Sequence, residues 1–189
     1  FWITNPAYFF NMQSFRYTQD TIDAELKKSK EDFILHFRSA YTDDYPPAWM
    51  IAEILPLGLL CRIYTNLKDN VIKKRVAQHF GLQVPVFSSW IVILAGLRNM
   101  CCHHCRTWNR ELATITTEPR RTKYGWIDSS RTDKRRMYYR ICMIRYFLYT
   151  VSPNNSFKDK LKTLLAAYPN IDTAAMGFPS DWESEDIWK

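Results

Sequence analysis

The chain has 189 residues, enough to bury one sizeable core. It is 47% hydrophobic and 15% aromatic with only five glycines, which excludes a low-complexity chain. A formal net charge of +7 favours an acidic partner such as nucleic acid. The five cysteines are an odd number with three clustered at Cys101, Cys102 and Cys105, so a disulfide framework is not expected and a reducing cytoplasm fits better.

Helical periodicity runs through the chain, without alternating runs or Asn-Gly and Asp-Gly hairpin signals. Residues 19 to 42 set Leu26, Phe33, Phe37 and Ala40 on one helical face. Pro46-Pro47 opens a second helix to about Leu67, which Pro56 should kink near Ala52. A shorter helix follows Asp69 and stops at Gly81, a residue suited to a left-handed cap. The fourth helix is expected from Pro85 to Arg110, with Phe87, Trp90, Leu94, Leu97, Cys101, His104 and Trp108 on an apolar stripe. Its apolar reach, Val84 to Leu97, is shorter than the ~20 residues of a spanning helix, so no membrane contact is expected. No signal peptide is visible. Residues 111 to 130 read as a loop exposing Arg120, Arg121 and Lys123. Arg131 to Thr150 reads as a helix, basic in its first half, followed by a short helix from Phe157 to Tyr168 and an acidic tail anchored by Trp182 and Trp188.

The chemistry concentrates in residues 97 to 110, Leu-Arg-Asn-Met-Cys-Cys-His-His-Cys-Arg-Thr-Trp-Asn-Arg. Arg98 carries a permanent charge on a forked donor set suited to phosphate. His103 is the side chain type that exchanges a proton near neutral pH. Asn99, which cannot exchange a proton there, fits a positioning role. Asn99, His103, Arg106 and Arg110 fall on a second helical stripe, at ~100° per residue roughly opposite the apolar one, with Arg98 on the flank. Arg106 and Arg110 suit phosphate contact or an ordinary solvated face. His104, on the apolar stripe, reads first as a core histidine and is a reserve catalytic candidate. The set Arg131, Lys134, Arg135, Arg136 and Arg140 suits RNA or pairing with the acidic tail. Glu53, inside an apolar helix, would need Arg98 or Arg62 as partner if buried. Cys101, His104 and Cys105 share a face, but no second Cys/His pair completes a tetrahedral zinc set, so no metal and no cofactor are expected.

The same stretch is similar to the signature of the Abi-like (abortive infection) proteins of bacteria, which runs roughly LRNxCAHHSRLWNR. Pro47-Ala48-Trp49 with Glu53, Ser89-Trp90, and Gly177-Phe178-Pro179 with Trp182 agree with it. Cys102, Cys105 and Thr107 stand where that pattern has Ala, Ser and Leu, leaving Arg98 and His103 untouched. The family resembles HEPN ribonucleases, whose R-N-x-x-x-H motif carries the reaction. The resemblance implies a single all-α domain over residues 1–189, a HEPN-like helical bundle, with a family-typical N-terminal region expected to be missing ahead of Phe1.

The reading that results is a metal-independent endoribonuclease of phage defence. Arg98 and His103 would be catalytic and Asn99 positioning, with Arg106, Arg110, Arg131, Arg135 and Arg136 as RNA contacts. One motif per chain supplies one histidine, so a homodimer is expected, and an antitoxin or other regulatory partner is left open. The alternative is a non-catalytic helical module that binds RNA or protein. A third option is a toxin subunit that works only with a missing partner.

Overall fold

A computed structural model describes residues 2–189. It is all-α: eight α-helices and five short 3-10 turns, with no strand among the described residues beyond one isolated Phe9–Leu67 bridge. The chain divides into two compact units, residues 1–73 and 74–189.

In the first unit, α1 (Met12–Lys28) starts at Asn11, whose side chain accepts the Ser14 N–H at 2.8 Å. That side-chain oxygen satisfies one of the otherwise orphaned donors of the first turn. The buried Asn66 amide then locks the helix start in place. It accepts the Asn11 N–H at 2.8 Å and donates to the Asn11 carbonyl at 3.0 Å. A single helix over 19 to 42 is not what forms. The chain turns extended at Ser29, and α2 (Asp32–Ala40) starts afresh beyond it. The expected kink at Pro56 is a full break between α3 (Ala48–Ile54) and α4 (Leu57–Asn66). Leu55 is extended there because proline's Cδ disfavours helix in the preceding residue. Ile3, Phe9, Phe15, Ile22, Ile51 and Ile63 close the core of this unit. Glu53 is exposed, so no buried counter-charge is demanded for it.

α5 (Asn70–His79) is capped by Asp69, whose carboxylate accepts the N–H groups of Val71 and Ile72. It closes on Gly81 at φ +67, where a Cβ would come within 2.1 Å of Lys123 Cβ. The second unit is built on α6 (Val84–Cys102) and α7 (Met137–Val151). Trp90, fully buried, packs tilted against Trp126 with ring centroids 4.7 Å apart, meets Tyr146 edge-on at 5.4 Å and donates to the Thr117 carbonyl at 3.0 Å. Phe80, Phe87 and Phe147 form an adjoining aromatic trio with centroids 5.0 to 5.8 Å apart. α8 (Phe157–Ala167) and the C-terminal segment complete the unit, with Trp188 buried and donating to Tyr138 Oη at 3.0 Å.

Three expectations change here. The basic stretch from Arg131 to Arg136 precedes α7 instead of forming its first turns. Arg140, inside α7, is 1% exposed and not a surface cation. α6 spans 19 residues with a mean hydropathy of 1.4, long and apolar enough by composition to cross a membrane, contrary to the expectation of a shorter run. Trp90, Ile93 and Leu97 are buried, and 33% of that apolar window is buried.

Candidate active site

α6 ends at Cys102, eight positions short of Arg110, and that early stop shapes the site. His103 leaves helical geometry at φ −94, ψ 15, and His104 takes the left-handed region at φ +52. His104 N–H donates to the Cys101 carbonyl at 3.1 Å and Cys105 N–H to the Met100 carbonyl at 2.9 Å. This nested pair is the Schellman closure that normally uses glycine. α5 ends the same way: Gly81 N–H reaches Gln78 and Leu82 N–H reaches Ala77. No glycine, proline or capping letter marks the stop at Cys102, which is why the periodic pattern overran it. Cysteine and histidine are only weak helix formers, and that mild preference is the sole local signal.

The closure puts the motif at the open end of a rigid helix. Arg98 and Asn99 are exposed on the last full turn, and His103 is exposed at the cap, its N–H donated to the Asn99 carbonyl at 3.0 Å. Arg98 Nη1 donates to Asn99 Oδ1 at 3.2 Å. Asn99 and His103 share a face with Val92 and Gly96, all exposed, and a Cβ at Gly96 would meet nothing within 4 Å. On Arg98's flank, Leu94, Leu97, Cys101, Ile144 and Phe147 line an open apolar hollow of about 290 Å³.

Several expected positions move. His104 is exposed, not a core histidine, and Cys101 and Trp108 are exposed instead of completing a buried stripe. Arg106 and Arg110 lie beyond the helix and so do not continue its polar stripe; Arg110 folds back to the Arg106 carbonyl at 3.5 Å. The distal basic residues are engaged with acids. Arg131 pairs with Asp181, Lys134 with Glu118 at 2.5 Å, Arg135 with Glu111 at 2.7 Å and Arg136 with Asp133 at 3.6 Å. Pairing with Lys134 holds the Glu118 carboxyl below its ordinary range. Arg98, Arg106 and Arg110 have no ion pair among those described.

Cys101, Cys102 and Cys105 are free and exposed. No cluster of three or more His, Cys, Asp or Glu side chains able to hold a metal occurs among the described residues.

No curated protein and no solved structure matches the chain. A family model described as Abi-like protein matches residues 1–109, more than half of the sequence. The match takes in Pro47-Ala48-Trp49, Ser89-Trp90 and the motif through Asn109, and leaves Gly177-Phe178-Pro179 and Trp182 outside it. With the Arg98-Asn99-His103 group closing α6 inside the matched span, the chain belongs to the Abi-like protein family.

Proposed function

We propose that this protein is a metal-independent endoribonuclease of the HEPN type, acting in abortive-infection defence against phage. Membership of the Abi-like family supports the defence role. The observation that carries the chemistry is the solvent-open Arg98, Asn99 and His103 group, fixed by backbone hydrogen bonds at the end of α6. Fixed donors act on developing charge without reorganising, which is what makes them catalytically effective.

The reaction follows from the two side chain types. His103 takes the proton of a ribose 2′-OH, and O2′ attacks the adjacent phosphorus. Negative charge gathers on the non-bridging oxygens, and the Arg98 guanidinium neutralises it. The P–O5′ bond breaks, leaving a 2′,3′-cyclic phosphate, and the departing 5′-oxygen needs a proton from an acid on the other side. One chain offers a single His103, so we assign the acid to the same residue of a second copy. The small, exposed Val92, Gly96, Asn99 face would let two α6 helices approach closely across a twofold axis. Two Arg98 side chains then meet near that axis, and their repulsion is relieved by the substrate phosphate.

The test is cleavage of single-stranded RNA and DNA by the purified chain in EDTA, with analysis of the product ends. RNA-only cleavage that leaves 2′,3′-cyclic phosphate and 5′-OH ends is expected. Ends carrying 5′-phosphate would contradict 2′-OH attack.

A further inference from the structure

Arg140 is charged, 1% exposed, and forms no ion pair among those described, although Asp133 is near enough to act on its charge. Its Nη2 donates to the Thr114 carbonyl, Nη1 lies 3.8 Å from Met143 Sδ, and Nε has no hydrogen-bond partner among the described residues. A buried guanidinium with a free donor and no counter-ion is expensive, and such a group normally acquires an anion. Burial accordingly pulls its proton affinity down.

Arg140 lines a cavity of about 260 Å³ in the second unit, and so do Arg110 and Thr114, whose carbonyl the Arg140 guanidinium holds. Ile93, Leu97, Met100 and Leu112 provide apolar walls. The one acid on the lining, Glu111, is held by Arg135 at 2.7 Å, and Asp133 is taken by Arg136 at 3.6 Å. Neither makes an ion pair with Arg140. We propose that this cavity is an anion site that takes a phosphate group carried on a nucleoside-sized substituent, with Arg140 and Arg110 as its two cations. The forked donors of two arginines match phosphate oxygens, and the apolar walls accept a planar base or a ribose edge. The phosphate has two sources, a free nucleotide or a nucleotide unit of an RNA strand. Binding here is separate from cleavage at His103.

The experiment is isothermal titration of the full chain with inorganic phosphate, adenosine monophosphate and a short single-stranded RNA ending in a phosphate. Adenosine monophosphate should bind, inorganic phosphate should compete with it, and Arg110→Gln and Arg140→Met should each weaken binding roughly tenfold to a hundredfold. Arg140→Met replaces a buried charge with an apolar chain of similar length, an exchange that buried sites tolerate. If it does not fold, the exposed Arg110→Gln carries the comparison. Binding of the RNA alone, with the same loss in both variants, supports the phosphate site and identifies the strand as its source. If no phosphorylated probe binds, or binding survives both substitutions, Arg140 is only a tether for the Thr114 carbonyl and the proposal fails.

Discussion

His103 and His104 are adjacent in sequence, and the backbone separates them. His103 sits at a helix cap with ordinary negative φ, whereas His104 occupies the left-handed region at φ +52. That region costs a non-glycine residue about 1–2 kcal/mol, although histidine is less averse to it than most. His104→Gly is therefore expected to raise stability by about 1 kcal/mol, read from the urea midpoint at constant slope. An equal loss instead would mean that the exposed imidazole makes a stabilising contact. In the proposed mechanism Arg98, five residues before His103, acts on charge that exists only in the transition state. Arg98→Ala should slow single-turnover cleavage by roughly a hundred- to a thousandfold while leaving RNA affinity nearly intact. Lost affinity with an unchanged saturated rate would make Arg98 a docking residue. In the same proposal the Asn99 amide, 3.2 Å from the Arg98 guanidinium, positions it, and Asn99→Ala should slow cleavage less than Arg98→Ala does.

Helices were legible wherever a residue of special backbone geometry marked their limits. Pro56, Asp69 and Gly81 each fall where the chain breaks, caps or closes. The α1–α2 break at Ser29 and the end of α6 at Cys102 were not legible, because neither uses proline or glycine. For the same reason His104 was expected on a buried stripe and is exposed, and Arg106 and Arg110 were expected on a helix that ends before them. Nor does spacing distinguish a solvated arginine from the buried Arg140. The segment before α7 bears on RNA binding. Arg135, paired to Glu111, must exchange a carboxylate for a phosphate, whereas Arg106 has no ion pair to give up. Removing one phosphate contact should reduce the salt slope of single-strand binding by about 0.7. That full reduction is expected for Arg106→Gln and a smaller one for Arg135→Gln, measured by filter binding against salt. The reverse order would return the RNA path to the segment before α7.

The C-terminal segment secures the second unit through a buried polar chain, Trp188 Nε1 to Tyr138 Oη at 3.0 Å and Tyr138 Oη to Glu185 Oε2 at 2.7 Å. Trp188→Ala should destabilise by about 3–5 kcal/mol, since a large fully buried ring leaves a cavity. Burial raises the Glu185 carboxyl above its ordinary value, so folding favours its protonated form. The stability this contributes is complete below the unfolded value near 4.3 and is lost as pH rises through the folded one. Wild type should therefore lose more stability than Glu185→Gln between about pH 4 and 7, and parallel urea midpoints for the two would contradict this. In the proposed mechanism cleavage needs a second copy of the chain, with acid and base the same residue in two chains, so His103→Ala would remove both at once. The decisive comparison is single-turnover cleavage of single-stranded RNA in EDTA by wild type and His103→Ala, with folding of both verified. Wild type should cut, and the variant should be slower by at least a hundredfold, the lower range for losing a positioned acid–base group. Equal rates for the two proteins, or loss of wild-type cleavage on chelation, would contradict a metal-free ribonuclease built on His103.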